Sequence, residues 1–282
     1  MLNCNIEKIT PFGILITPNN IGDSITKLSI NMLRGWVRKH LLIIFRGFDS
    51  GFEDKEKLIS YSHHWGEIMM WPFGAVLDII EHNDPPDHVL DNLSLPLHWD
   101  GMYSEFIPEF QIFHCISAGS VEHEGRTNFV NTEKIIADAN QLDINLWEKA
   151  IITYRTKNIT HYGGEVISPL ICLHPREQKK VLRYNEPMGK NVLKYSDHHS
   201  VDFIGIPNEK LSDMQHLLHS KLYDPNYLYA HQWQAGDIVI CDNFSLLHGR
   251  EAFSSQSQRH IQRVHIHGQP KHRNIHFRKA FT

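Results

Sequence analysis

The sequence predicts a mainly β fold with flanking helices, a double-stranded β-helix or jelly roll, in one domain over residues 1–282. Three observations predict it. Short apolar stretches of strand-like composition dominate from Val76 onward, turn residues separate them, and helical spacing of apolar residues is confined to a few segments. In such a fold, strands far apart in sequence meet in space.

Taken in order, Phe12 to Thr17 reads as a short strand. Asp23 and Ser24 are suited to cap a helix whose apolar residues are Ile25, Leu28, Met32, Trp36 and Val37. Leu41 to Phe45 is a buried strand. Asp54 caps a second helix, with Leu58, Tyr61 and Trp65 facing inward and Gly66 ending it. Strands are expected over Val76 to Ile80, Leu95 to Trp99, Phe110 to Ala118 and Asn128 to Asn131. Short helices follow near Thr132 to Ala139 and Asn145 to Ala150. Ile151 to Thr156 and Lys180 to Tyr184 are extended, and Pro207 precedes a helix carrying Leu211, Met214, Leu217 and Leu218. The chain closes with strands at Tyr227 to Trp233, Ile238 to Cys241 after a Gly236-Asp237 turn, and His260 to His267.

Composition narrows the function classes. Basic residues number 28 and acidic residues 32, a net charge of 28 − 32 = −4, so there is no electrostatic footprint for nucleic acid. A short basic tail around Lys271, His272, Arg273, Arg278 and Lys279 is read as a solvated terminus or last strand. Cys4, Cys115, Cys172 and Cys241 are scattered, without Cys-x-x-Cys spacing, which argues against a disulfide framework and against a zinc finger. No basic segment followed by an apolar run opens the chain, and no apolar stretch approaches the ~18 residues of a membrane span. The expectation is a soluble, reduced, cytoplasmic protein with no nucleic-acid or membrane partner.

Histidine is abundant, with 21 residues, so single His motifs carry little weight. Two His-x-Asp triplets occur. His82-Asn83-Asp84 runs into Pro85-Pro86 and reads as a surface loop. His98-Trp99-Asp100 ends an apolar segment and enters a turn at Gly101. Residues i and i+2 of a strand share a face, so His98 and Asp100 both aim into a barrel mouth. His248 is the preferred third ligand because it lies just beyond the buried stretch and polar exit of Trp233 to Asn243; His231, His265 and His267 are competitors. Two imidazoles and one carboxylate on one face of a metal leave the other positions open, the pattern of a non-haem Fe(II) oxygenase. Structural zinc prefers four closed ligands with sulfur, yet zinc stays an alternative at this point.

Arg259 follows His248 by eleven residues and Arg263 by fifteen. An even separation puts both on one strand face, where burying guanidinium groups is costly unless anions meet them. Arg259 is suited to grip the distal carboxylate of 2-oxoglutarate in a bidentate pair, with a hydroxyl hydrogen bond from Thr127, and Arg263 to meet an acidic substrate. Trp71, Phe73, Tyr103 and Phe106 are candidates for an apolar slot around an aromatic acid.

These residues together resemble the taurine dioxygenase-type Fe(II)/2-oxoglutarate oxygenases. The resemblance is carried by His98-Trp99-Asp100, Gly125 to Thr127, Gly236-Asp237 with Asp242-Asn243, His248, Arg259 and Arg263, and runs from about Leu95 to the end. It implies iron held by His98, Asp100 and His248, 2-oxoglutarate bound by Arg259 and Thr127, oxygen as oxidant, and an acid group met by Arg263. Leu-His-Trp-Asp-Gly-Met-Tyr and Phe-Gln-Ile-Phe-His-Cys are most similar to the oxygenases of isonitrile biosynthesis of the pyoverdine-chromophore/paerucumarin cluster type. That similarity implies tyrosine isonitrile as substrate, made by a partner isonitrile synthase, and oxidation at the side-chain CH2 to a vinyl isonitrile, with or without loss of the carboxylate. The same chemistry on another small acid, an amino acid or a sulfonate, is an alternative, as is a non-catalytic jelly-roll binding protein.

Overall fold

Two β-sheets face each other, and their strands come from both ends of the chain. The computed structural model describes residues 4–279, apart from 83–84, 86–87, 120–122, 160–161, 189–198 and 255–256. The larger sheet orders Cys4–Lys8, Ile14–Pro18, Leu42–Phe45, Ile238–Asp242, Phe106–Ser117, His260–Arg273 and Leu77–Ile80. The smaller orders Leu228–His231, Thr127–Asn131, Leu246–Arg250 and Leu95–His98, all antiparallel.

Period-two alternation explains why this sheet pair forms. Along Ile238–Asp242, Val239 and Cys241 pack inward with Phe113, Phe129, Trp233, Leu246 and Ile261. Ile238 and Ile240 point outward into a second core with Phe45, Phe110, Ile112, Val264 and Ile266. That outer face is covered by the helices Ile30–His40 and Lys55–Trp65, which contribute Leu33, Val37, Leu58, Tyr61 and Trp65. The smaller sheet is covered on its outer face by a third core, where Leu97, Val130 and Leu247 meet Ile152, Tyr154 and Val166 of a further sheet and Met214 and Leu218 of the helix Asn208–Leu222. The jelly roll with flanking helices is therefore as expected.

Several local expectations shift. Ser24 caps only a 3-10 turn at Ile25–Lys27, and the α-helix begins at Ile30. Asp54 caps Lys55–Trp65 by accepting from the Glu56 N–H, as its sequence position requires. The helix expected at Asn145 to Ala150 is Gln141–Trp147, capped by Asn140. Asn83 and Asp84 of the alternative triplet lie outside the described residues. All four cysteines are free. Among the described residues no helix is long and apolar enough to cross a membrane.

Candidate metal centre

His98 and His248 are register partners on adjacent strands of the smaller sheet. Leu95–His98 delivers His98 at its end, and Asp100 follows two residues on, so both side chains project to the inner face. Trp99 goes the other way into the third core. The sequence reading placed His248 beyond a strand; it instead sits within Leu246–Arg250, hydrogen-bonded on both sides, to Leu95–His98 and to Thr127–Asn131. Gly249 permits this closeness: a Cβ there would meet the Leu95 carbonyl oxygen at 2.7 Å.

The two imidazole rings lie 4.3 Å apart between centroids. One ligand atom from each of His98, Asp100 and His248 falls within 4.8 Å of the others. His98 Nδ1 is 2.8 Å from the Pro96 carbonyl oxygen, so Nδ1 carries the proton and Nε2 keeps its lone pair. His98 Nε2 is 3.6 Å from Asp100 Oδ1, and His248 Nε2 is 3.5 Å from Asp100 Oδ2. Among the described residues, His248 Nε2 is nevertheless buried without a hydrogen-bond partner. Burial first, and the neighbouring His98 second, hold the His248 pKa well below the ordinary 6.5, so the ring is a neutral donor. An orphaned buried nitrogen beside a second lone-pair nitrogen and a carboxylate is a donor set that a divalent transition metal satisfies.

Asp100 is held from several directions. Burial alone would raise its pKa; Arg263, then His265 and His248, outweigh that and keep the carboxyl well below the ordinary carboxylate range. Its backbone N–H donates to Asn243 Oδ1 at 3.0 Å, and Asn243 Nδ2 donates to its carbonyl at 3.0 Å. Asp242 shapes the turn that carries Asn243, accepting from the N–H groups of Phe244 and Ser245.

Arg259 and Arg263 do share the inner face, with Ile261 between them in the inner core. Arg259 is only 5% exposed. Its Nε donates to the Gly125 carbonyl at 3.1 Å, its Nη2 approaches Thr127 Oγ1 at 3.5 Å, and among the described residues no carboxylate pairs with it. Burial, with a smaller contribution from Arg250, pulls its pKa down to about 9, so it is still charged at neutral pH. Thr127 Oγ1 also accepts from Trp233 Nε1 at 2.9 Å. With acceptor capacity spent on two donors, the hydroxyl hydrogen is left to donate. Thr127, His248 and Arg259 line one cavity with Phe113, Arg250 and Arg263. An acceptor-rich anion reaching from the triad to Arg259 would satisfy the hydroxyl and the unpaired guanidinium together.

Arg263 differs from expectation. Its Nη1 lies 2.8 Å from Asp100 Oδ2, so its charge is already met within the protein, while its Nε is buried without a partner among the described residues. Tyr103, in the turn that follows the His98 strand, packs against the third core of Trp99, Met102 and Tyr154. Trp71 and Phe73 stack on each other at 5.9 Å, and Trp71 reaches the site through His265. Phe106 packs edge-on to His267. Sequence reasoning weighed His265 only as a competing ligand and missed Gln111 and Arg250. His265 and Gln111 both donate to Asp100 Oδ2. Arg250 ties the segment before His98 to the His248 strand, donating to the Val89 carbonyl at 2.7 Å, the Leu93 carbonyl at 2.8 Å and Asp91 Oδ1 at 3.0 Å. The signal for Arg250 was present: it is two residues from His248 and so shares its face.

This fold and site define a jelly-roll protein built to seat a metal beside an anion. The sequence matches the family described as taurine catabolism dioxygenase TauD, TfdA over residues 5–265, and the chain belongs to that family. It is 43% identical over 265 residues to a tyrosine isonitrile desaturase of Erwinia amylovora, covering 94% of this chain and 90% of that one. It is 37% identical to the 3-((Z)-2-isocyanoethenyl)-1H-indole synthase of Fischerella ambigua, over 93% of this chain and 95% of that one. The crystal structure of PvcB from Pseudomonas aeruginosa superposes with a TM-score of 0.84 at 37% identity, over 99% of this chain and 96% of that one. A second structure describes PvcB as an Fe, alpha-ketoglutarate dependent oxygenase from an isonitrile synthetic pathway, with a TM-score of 0.83.

Proposed function

We propose that the chain is an Fe(II)- and 2-oxoglutarate-dependent oxygenase that converts tyrosine isonitrile to a vinyl isonitrile. One observation carries the reading: the orphaned Nε2 of His248 and the unpaired guanidinium of Arg259 line a single cavity. His98, Asp100 and His248 hold the iron. Arg259 grips the distal carboxylate of 2-oxoglutarate and Thr127 donates its hydroxyl hydrogen to the same co-substrate. Arg263 stands between Asp100 and the substrate's acid group, with its Nε free to donate. With 2-oxoglutarate and oxygen, iron supplies an oxidant able to take hydrogen from a C–H bond, and the protein supplies position and the exclusion of water. Overall, substrate, 2-oxoglutarate and oxygen give vinyl isonitrile, succinate, carbon dioxide and water, and a second carbon dioxide if the carboxylate is lost in place of a hydrogen.

The reading treats residues 1–282 as one catalytic domain, supported by strands as distant as Ile14–Pro18 and Ile238–Asp242 lying in one sheet. A cytoplasmic setting is supported by the four free cysteines, and a pathway partner that makes the isonitrile by the nature of the substrate. The indole-forming relative favours a second reading, the isonitrile of tryptophan as substrate. The test is mass spectrometry of the products from each isonitrile, and from tyrosine and taurine, with Fe(II), 2-oxoglutarate and air. A product lacking two hydrogens, or a hydrogen and the carboxyl group, formed from tyrosine isonitrile alongside equimolar succinate is expected. Turnover confined to tyrosine or taurine would overturn the substrate assignment, and no succinate from any of them would overturn the oxygenase.

A further inference from the structure

We propose that His265 is a positioning residue for Asp100: oriented by Trp71, it locks the carboxylate so that Oδ1 alone is offered to the metal. The proposal rests on the reading of His98, Asp100 and His248 as the ligand set.

The two oxygens of Asp100 have unequal surroundings. Oδ2 accepts from His265 Nε2 at 2.8 Å and from Gln111 Nε2, and is 2.8 Å from Arg263 Nη1. Among the described residues Oδ1 accepts no hydrogen bond and faces His98 Nε2 at 3.6 Å. An oxygen that accepts two hydrogen bonds has both lone pairs engaged, and here it also faces the Arg263 charge, whereas Oδ1 keeps both of its own.

Of these donors, His265 has its direction set by a residue that can only donate. An indole N–H only donates. Trp71 Nε1 lies 2.9 Å from His265 Nδ1, so Nδ1 is the lone-pair nitrogen, and Nε2 carries the hydrogen that points at Oδ2. Both ring nitrogens are thereby used, which removes His265 as a metal ligand although it lies beside the triad. The ring is 3% exposed and lies against Trp71 at 5.6 Å, which in turn stacks on Phe73. A parallel chain acts on Gln111: the Cys241 thiol donates to Gln111 Oε1 at 3.1 Å, leaving the amide N–H groups toward Asp100. Arg263 contributes charge; the Trp71–His265 pair contributes direction. Without that pair the carboxylate is free to turn or to chelate through both oxygens, occupying a position that the co-substrate and oxygen require.

The test is anaerobic titration of the full chain with Mn(II), followed by electron paramagnetic resonance. His265→Leu, which keeps bulk and removes the donor, is expected to weaken Mn(II) binding about 10–100-fold. His265→Gln, whose amide N–H reaches the same oxygen, recovers most of the loss. Trp71→Phe weakens binding in the same direction and adds nothing in the His265→Leu background, because both act through one hydrogen bond. If His265→Leu does not fold, Trp71→Phe decides alone. Parent-like Mn(II) affinity in these variants, with binding lost in Asp100→Ala, would overturn the positioning role and leave the ligand set intact. Parent-like affinity in Asp100→Ala would overturn the ligand set itself.

Discussion

His248 Nε2 and Asp100 Oδ2 stand 3.5 Å apart and yet His248 Nε2 has no hydrogen-bond partner among the described residues. Leaving a buried nitrogen unsatisfied costs about 1–3 kcal/mol, and a bound cation that accepts its lone pair removes that cost. Replacing His248 by Ala is therefore expected to abolish tight Fe(II) or Mn(II) binding and oxygen-dependent succinate formation without unfolding the protein. Metal titration and succinate assay check this together; retained turnover would defeat the assignment of His248.

Arg259 carries a buried charge with no carboxylate beside it among the described residues. Arg259→Leu removes the partner of a desolvated anion, a loss of about 3–5 kcal/mol, or roughly 10² to 4 × 10³ in 2-oxoglutarate affinity. Anaerobic titration of the visible absorption of the Fe(II)–2-oxoglutarate complex measures it. An unchanged dissociation constant would move the co-substrate elsewhere.

Two glycines stand where a methyl group has no room. A Cβ on Gly125, at φ +60°, would meet Arg259 Cδ at 3.0 Å and Nε at 3.1 Å. Gly125→Ala should thus displace the guanidinium and raise the KM for 2-oxoglutarate with little change in metal affinity. Gly249→Ala would press on the Leu95 carbonyl, part the strands that carry His98 and His248, and lower stability by about 1–3 kcal/mol. Thermal unfolding and metal titration separate the two outcomes, and parent-like behaviour in both variants would show that the backbone yields there.

The metal-free protein should lose stability as pH falls from about 7 to about 5. Burial holds His248 and His265 below the ordinary 6.5, so the unfolded chain takes up more protons in this window than the folded chain. Stability rises with pH wherever the unfolded state binds more protons. Asp100 has its folded pKa lowered, so its contribution is present above its ordinary 3.8 and is lost only below that. Chemical denaturation across this range checks the slope, which His248→Gln should reduce; a flat profile would contradict neutral burial.

Much of the architecture was legible where one rule governed. Asp54 and Gly66 bound a helix because capping and chain reversal are local. Val239 and Cys241 alternate with Ile238 and Ile240 because both sheet faces are apolar. The strand Leu246–Arg250 was not legible: it contains a glycine, a histidine and an arginine, and it is extended because two neighbours pair with it. The strands Tyr162–Pro169 and His199–Ile204 escaped for the same reason, being defined by pairing with Ile151–Ile159. The convergence of His98, Asp100 and His248, and the burial of Arg259 beside them, was legible because metal and anion chemistry restricts residue type. The pairing of Arg263 with Asp100 was not, since strand parity gives the face of a side chain and not its partner across the barrel.

The register of His98 against His248 also orders events in time. During synthesis the Leu95–His98 segment leaves the ribosome long before Leu246–Arg250 exists, so a nascent chain holds at most two of the three donors. On the proposed ligand set, the metal site is complete only once Leu246–Arg250 has emerged and paired into the smaller sheet. Tight metal affinity would then serve as a certificate that the smaller sheet has closed.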